Sequence, residues 1–193
     1  MNRQLHIEKM APFADVYLIT PAKFEDDRGY FSESYKKQTL EEAGLHYNFI
    51  QDNHSLSIPK GTLRGLHFQA PPFAQAKLVR VIVGSALDVI VDIRKNSKTY
   101  GRSGAIELSG KNRKQVLVPA GFAHGFCTLE ENTEVIYKVD APYSKEHDGG
   151  ILWNDPDLGI EWPVKSETVT LSEKDKTLPS WEDFKTPFTT PEI

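Results

Sequence analysis

The fold is indicated most directly by one stretch of sequence, Pro119-Ala120-Gly121-Phe122-Ala123-His124-Gly125-Phe126. Its Pro and Gly, two residues apart, predict a turn, and the apolar run that follows predicts a buried β-strand. The run contains one histidine, His124, so an ionisable ring is expected among apolar neighbours. A strand of this kind belongs to a sheet with another layer packed over it.

Similar short runs of β-branched and aliphatic residues recur on both sides of this stretch, separated by turn residues such as Gly84-Ser85 and Glu131-Asn132. No repeated helical pattern lies between them, which disfavours a parallel βαβ fold and favours an antiparallel sandwich or barrel. The runs predict strands at Asp15–Ile19, Lys77–Val83, Leu87–Ile93, Ala105–Leu108, Gln115–Val118, Gly125–Leu129 and Glu134–Val139.

Helical signals are few. One short helix is predicted at Gln38–Ala43, with a capping box made by Thr39 and Glu42 and a stop at Gly44. The polar, Pro-containing extension after Trp162-Pro163 has room for one more helical turn. No internal repeat or linker divides the chain, so residues 1–193 are predicted to form a single domain with a C-terminal extension.

The composition excludes several classes of protein. Hydrophobic residues make up 39% of the 193 residues and charged residues 26%, which fits neither a disordered chain nor a membrane protein. The net charge of -4 and the dispersed Lys and Arg residues give no reason to expect a nucleic-acid partner. The only cysteine, Cys127, rules out an intrachain disulfide or a zinc site built from several cysteines. The first residues lack the apolar stretch of a secretory signal, so a cytoplasmic location is expected.

Three cations stand where apolar strands are predicted. Arg64 and His67 lie within Leu63–Gln69, and a buried cation needs either a bound anion such as a diphosphate or an internal carboxylate. Strict alternation would place the two on opposite faces, so Gly65 is expected to mark a bulge or a bend if both reach one pocket. Lys77 opens the next apolar run and is either an edge residue or an ammonium directed at an anion.

The pattern P-x-G-x-x-H from Pro119 to His124 resembles the second half of the cupin signature. Metal-binding cupins supply H-x-H from an earlier strand, whereas this chain has His67-Phe68-Gln69. The remaining side chains are too few for a stable Zn, Fe or Mn site. We therefore predict an all-β, cupin-type antiparallel jelly-roll barrel with short peripheral helices, and neither a metal nor another cofactor.

Several motifs in order resemble the dTDP-4-dehydrorhamnose 3,5-epimerase family. The resemblance runs from Val16 to Pro179 and includes Gln51-Asp52-Asn53, Leu63–Gln69, Lys77–Arg80, Asp88–Arg94, Gly121–Phe126, Tyr137-Lys138, Gly159–Pro163 and Leu171–Asp175. It implies a dTDP-4-keto-6-deoxy sugar substrate, inverted at C3 and C5 from dTDP-4-dehydro-6-deoxy-D-glucose to dTDP-4-dehydro-L-rhamnose, in dTDP-L-rhamnose biosynthesis.

The resemblance also implies residue roles. His67 is expected to be the base, Asp175 its orienting partner, Tyr137 the acid on the opposite ring face and Lys77 the stabiliser of the enolate oxygen. The family further implies a homodimer in which an N-terminal strand of one subunit completes the other's sheet and brings Arg28 or its neighbours into the partner's site. Residues expected to bind the nucleotide, the diphosphate or the sugar are Arg28, Tyr30, Glu33, Gln51, Asn53, Arg64 and His124.

Other functions remain open at this level. A relative that inverts one centre, or acts on another deoxysugar nucleotide, would carry the same catalytic residues. A non-catalytic sugar-binding cupin is disfavoured because all four catalytic residues are present, and a structural storage cupin would not need so many ionisable groups. A metal-dependent cupin is disfavoured by Phe68-Gln69.

Overall fold

Two antiparallel sheets face each other across a shared apolar interior in a computed structural model, which describes residues 5–189. Residues 1–4 and 190–193 of the predicted domain, and with them part of the stretch on which the location prediction rests, lie outside the described residues. The strands are β1 Leu5–Lys9, β2 Tyr17–Pro21, β3 Phe24–Asp26, β4 Gly29–Phe31, β5 Gln51–Ser57, β6 Leu63–Gln69, β7 Lys77–Val83, β8 Ser85–Asp92, β9 Arg94–Lys95, β10 Ser103–Ser109, β11 Gln115–Val118, β12 Phe122–Thr128, β13 Thr133–Val139, β14 Asp148–Gly150 and β15 Phe188–Thr189.

The six-stranded sheet has the order β1-β2-β11-β7-β13-β5, and the five-stranded sheet has the order β10-β8-β12-β6-β14. One core cluster joins their inner faces: Val79, Val116 and Val135 come from the first sheet, and Ile90 and Phe126 from the second. Burying these side chains between two layers is the main stabilising contribution to such a fold. The architecture confirms the predicted all-β jelly roll.

Most predicted strands are confirmed with shifted ends. Lys77–Val83 and Gln115–Val118 are found as predicted, whereas β8, β10, β12 and β13 begin one to three residues earlier and β2 lies two residues later. The early residues include Ser85 and Gly104, which carry no apolar signal but still pair in the backbone ladder. Backbone pairing between strands therefore extends beyond the residues that the hydrophobic pattern marks as strand.

The helices are short and peripheral: α1 spans Lys37–Glu42, α2 spans Glu173–Lys176, and 3-10 turns lie at Lys145–His147 and Pro156–Leu158. The predicted capping box is wrong, because Thr39 lies inside α1 and the N-cap is Lys36, whose side chain makes no capping bond. Gly44, at φ +80°, confirms the predicted stop. No helix among the described residues is long and apolar enough to cross a membrane.

A bulge in β6 confirms the role predicted for Gly65. On β12, His124 pairs with His67 and Phe126 with Arg64, so β6 contains one residue more than β12 between the two pairs. Gly65 has φ +136°, and a Cβ at this position would lie 2.5 Å from the Cα of Gly125. Only glycine permits both the conformation and the close approach, and the extra residue turns Arg64 and His67 towards the same cavity.

Candidate active site

A cavity of about 420 Å³ lies among residues from both large sheets and the C-terminal extension. All four residues predicted to be catalytic line it, together with Arg64 and His124. The full lining is Ser55, Thr62, Leu63, Arg64, His67, Lys77, His124, Phe126, Tyr137, Thr170, Leu171, Ser172 and Asp175.

His67 and Asp175 form a hydrogen-bonded pair although 108 residues separate them in sequence. The imidazole Nε2 lies 2.5 Å from Asp175 Oδ1, and the Ser172 hydroxyl donates to Asp175 Oδ2 at 2.7 Å. Burial alone would raise the pKa of the Asp175 carboxyl, but the hydrogen bonds from His67 and Ser172 hold that pKa below its usual value. An ionised carboxylate on Nε2 favours the Nε2–H tautomer, which leaves Nδ1 of His67 with a free lone pair.

The C-terminal extension reaches the site through backbone pairing with β6. Leu63 N–H donates to the Thr170 carbonyl at 2.9 Å, and Thr170 N–H donates to the Gly61 carbonyl at 3.0 Å. Ser172 then caps α2 by accepting a hydrogen bond from the Asp175 N–H, which fixes the first turn of the helix. These contacts carry Asp175 to the imidazole.

Tyr137 and Lys77 belong to neighbouring strands of the six-stranded sheet. Val135 and Val139 are almost fully buried, which confirms that the face of β13 shared with Tyr137 points inward. Burial raises the pKa of the Tyr137 phenol, against the opposing effect of Arg64, so the phenol is protonated at neutral pH. Burial lowers the pKa of Lys77 to about 8, although the charges of Asp88 and Asp148 oppose it. The Lys77 ammonium donates to the His67 carbonyl at 3.4 Å.

Two carboxylates near the cavity were not predicted from the sequence. Asp88 is buried in β8 and lies 2.8 Å from His124 Nε2, which makes a second histidine–carboxylate pair. Asp148 in β14 accepts hydrogen bonds from Lys174 at 2.6 Å and from the exposed Tyr143 at 3.1 Å. Asp88 could have been predicted as a site residue, because it is an acid within the apolar run Leu87–Ile93. Asp148 lies in a polar segment, where nothing in the sequence distinguishes it from a surface acid.

Five predicted binding residues are not among the residues that line this cavity. Arg28 and Tyr30 are exposed on the β3–β4 hairpin, where Arg28 pairs with Asp26. Glu33 follows that hairpin. Gln51 and Asn53 lie on β5, and the side-chain amide of Gln51 donates to the side-chain oxygen Oδ1 of Asn53 at 2.8 Å. Their binding roles stay predictions.

Gln69 stands at the position where metal-binding cupins have a histidine, and its side-chain amide is hydrogen-bonded to nearby loops. Its amide N–H groups donate to the carbonyls of Phe73 at 2.7 Å and Pro142 at 3.0 Å, and its oxygen accepts from the Ser144 N–H. Within residues 5–189, no cluster of three or more His, Cys, Asp or Glu side chains is arranged to hold a metal ion. Metal independence stays a prediction for chelation experiments.

A jelly-roll cavity that combines a histidine–carboxylate pair with a phenol and an ammonium holds the groups that proton transfer next to a carbonyl needs, which is the chemistry of the sugar epimerases. Residues 10–183 match the model of the family described as dTDP-4-dehydrorhamnose 3,5-epimerase. The chain belongs to the dTDP-4-dehydrorhamnose 3,5-epimerase family and is an isomerase.

Individual relatives agree with this assignment. The chain is 54% identical to the dTDP-4-dehydrorhamnose 3,5-epimerase of Sinorhizobium fredii over 167 residues, which cover 86% of this chain and 85% of the relative. A crystal structure of the Bacillus anthracis epimerase with TDP and PPi bound has 51% identity and a TM-score of 0.88, covering 91% of this chain and 99% of the other. The Legionella pneumophila epimerase in complex with dTDP-4-keto-L-rhamnose has 39% identity and a TM-score of 0.88, covering 94% and 95%.

Proposed function

We propose that the chain inverts C3 and C5 of dTDP-4-dehydro-6-deoxy-D-glucose, giving dTDP-4-dehydro-L-rhamnose, with His67 as the base and Tyr137 as the acid. The observation that carries the proposal is the placement of these two groups. His67 belongs to the five-stranded sheet and Tyr137 to the six-stranded sheet, and both line one cavity. A sugar ring held between the sheets therefore presents one face to the base and the other to the acid.

The first step is proton removal. The hydrogens on C3 and C5 are acidic because each lies next to the C4 ketone, and loss of either gives an enolate. Nδ1 of His67 takes the proton, and the Asp175 carboxylate on Nε2 stabilises the resulting imidazolium. The Lys77 ammonium stabilises the negative charge on O4.

The second step is proton return from the other side. Return from His67 to its own face would regenerate the starting configuration, whereas donation by Tyr137 inverts the carbon. The phenol is suited to this donation because its pKa is raised by burial and it holds its proton at neutral pH. Each well-placed acid or base contributes about 10²–10⁴-fold in rate.

The test separates exchange from inversion. The substrate is incubated in D2O with the wild type and with Tyr137→Phe, and NMR follows deuterium at C3 and C5 together with the product configuration. Tyr137→Phe is expected to continue exchange through His67 while inversion, above all at C5, is greatly reduced. His67→Ala is expected to lose both. Tyr100→Phe, which removes a phenol that packs on Trp181 away from the cavity, is the control. An equal loss of exchange and inversion in Tyr137→Phe contradicts the assignment.

We also propose that the active form is a homodimer. The β3–β4 hairpin is hydrogen-bonded as a separate two-stranded sheet, which is marginally stable alone, and it exposes the rings of Phe24, Tyr30 and Phe31. The nearby outer face of the six-stranded sheet exposes Leu56 and Val83. A second copy that covers these groups would bury a sizeable apolar surface and receive Arg28 at its own cavity.

Subunit mixing tests the exchange of Arg28 directly. Arg28→Ala and His67→Ala are each expected to be impaired. In a mixed dimer, the Arg28→Ala subunit keeps His67 and receives Arg28 from its partner, so one of the two sites is intact. Random mixing is expected to restore activity to about a quarter of the wild-type level. No gain on mixing, with light scattering showing a dimer of about twice the 21.8 kDa chain mass, contradicts a shared site.

We propose a cytoplasmic location. Cys127 is free and buried, and burial raises the pKa of its thiol to about 11. A fold that uses no disulfide suits a reducing compartment. Cell fractionation followed by the epimerase assay tests this, and activity confined to a secreted or envelope fraction contradicts it.

A further inference from the structure

We infer that Ser57 and the backbone carbonyl of Leu56 form a cradle that positions Arg64 to bind the substrate diphosphate. This inference rests on the proposed role of Arg64. It assigns a positioning function to the C-terminal end of β5, which makes no proposed contact with the reacting carbons.

The cradle joins the two large sheets at the cavity. Arg64 belongs to β6 in the five-stranded sheet, and its acceptors belong to β5 at the edge of the six-stranded sheet. The Arg64 Nε–H donates to the Ser57 hydroxyl at 3.2 Å, and Nη2–H donates to the Leu56 carbonyl at 3.3 Å. Ser57 is 2% exposed, so its side chain is packed and shielded from water.

These two bonds use one edge of the guanidinium and leave the other edge available. Nε and Nη2 form the lateral edge of the planar group, whereas Nη1 and the second hydrogen of Nη2 form its end. Three of the five N–H donors therefore remain for a ligand, in the geometry that binds two oxygens of one phosphate. Both acceptors in the cradle are uncharged, and Arg64 has no carboxylate partner within 4 Å among residues 5–189. The positive charge is thus preserved for an anion.

An arginine whose side chain is already restricted binds an anion more tightly than one whose side chain moves freely. An arginine on the exposed side of a strand samples many rotamers, and binding an anion requires that this freedom be lost. When the cradle restricts the side chain beforehand, less ordering remains at the moment of binding. The cradle is therefore expected to act on affinity for diphosphate-bearing ligands and not on the proton transfers.

The experiment compares ligands with and without the diphosphate. Calorimetric titration with dTDP and with thymidine is done for the wild type and Ser57→Ala, alongside steady-state kinetics. Ser57→Ala is expected to weaken dTDP about tenfold and to raise KM by a similar factor, with thymidine affinity and kcat unchanged. Ser57→Thr, which keeps a hydroxyl, is expected to recover most of the dTDP affinity. The control is Ser103→Ala on β10, which removes a hydroxyl hydrogen bond to the backbone carbonyl of Leu158 in the 3-10 turn Pro156–Leu158.

A double-mutant cycle with Arg64→Ala distinguishes a failure of the cradle from a failure of the proposed diphosphate-binding role of Arg64. If Ser57 acts through Arg64, Ser57→Ala adds no further loss of dTDP affinity in the Arg64→Ala background. If Arg64→Ala weakens dTDP but Ser57→Ala does not, or weakens thymidine equally, the cradle is refuted and the role of Arg64 stands. If Arg64→Ala binds dTDP as the wild type does, the proposed role of Arg64 is refuted, and the cradle with it.

Discussion

Replacing Asp175 by asparagine tests how much of the reaction depends on the carboxylate behind His67. The amide keeps the size of the side chain, and its oxygen can still accept from the Ser172 hydroxyl. In that orientation the amide N–H₂ group faces Nε2 of His67, where the wild type has an ionised oxygen. The imidazole must then present a lone pair at Nε2, so its proton moves to Nδ1. The nitrogen that should take the substrate proton is blocked.

The magnitudes expected for rate and stability differ widely. A carboxylate-to-amide change behind a catalytic histidine costs about 10⁴-fold in turnover when the tautomer is reversed. The stability cost is close to that of one altered hydrogen bond, about 1 kcal/mol, because the Ser172 contact survives and the His67 side chain is 29% exposed. The folded-state pKa of Asp175 is lowered, so its contribution to stability is present above the unfolded pKa and is lost as the pH falls through the folded pKa. The stability of the Asp175→Asn variant should therefore fall less than that of the wild type as the pH is lowered.

The assay combines substrate exchange in D2O with thermal unfolding at several pH values. A matched control lies eight residues further on, where Asp183 accepts from the Ser180 hydroxyl at 2.8 Å in the same Ser-x-x-Asp arrangement but has no histidine partner within the described range 5–189. Asp183→Asn should change stability slightly and leave turnover intact. Near-normal exchange in Asp175→Asn would refute the tautomer argument, and a collapse of the melting transition would refute the claim that the loss is chemical.

Three other properties of the protein can be tested from the same geometry. Because the pKa of Lys77 is about 8 and its charged form is proposed to stabilise the enolate, kcat/KM should fall about tenfold between pH 7 and pH 9, and a flat profile would remove Lys77 from that role. Gly65→Ala should destabilise the fold by at least about 2 kcal/mol in denaturant unfolding, because its Cβ would meet the Gly125 backbone, whereas Gly44→Ala meets no atom within 4 Å and tests the positive φ alone. Turnover should survive prolonged EDTA treatment, and a loss reversed by one particular divalent ion would disprove metal independence.

The sequence predicted the inner strands well because they follow the ordinary rule of apolar residues facing inward. It missed β5 because that strand reverses the rule. Gln51, Asn53, Ser55 and Ser57 alternate with the outward residues, so the polar set faces the interior and Leu56 is exposed. A strand that lines a polar cavity has no apolar stripe on its inner face, and pattern reading takes it for a loop.

The residues proposed to be catalytic were predicted from the family resemblance, and the structure adds how their side chains meet. Alternation alone separates Arg64 from His67, and the sequence indicated a bulge or bend at Gly65 only on the condition that both reach one cavity; the structure supplies that condition. The contact between His67 and Asp175 was not derivable in this way, because nothing in the spacing shows that a polar C-terminal segment returns to β6. The Asp88–His124 pair was missed for a related reason: a carboxylate in an apolar strand needs a partner, but the sequence does not say which one.

The C-terminal extension positions Asp175 beside His67, so the proposed chemistry depends on the completion of folding. Thr170 forms a bridge with Thr62, at the start of β6, and Leu152 N–H donates to the Pro179 carbonyl further along. These contacts hold both ends of the segment that carries α2, and its only turn of helix is too short to be stable in isolation. The proposed base, His67 on β6, is therefore oriented by its carboxylate partner only when the extension has docked on the barrel. A chain that has formed both sheets but not this last contact would retain the cavity and lack an oriented base, so turnover reports on docking of the extension as well as on the residues of the site.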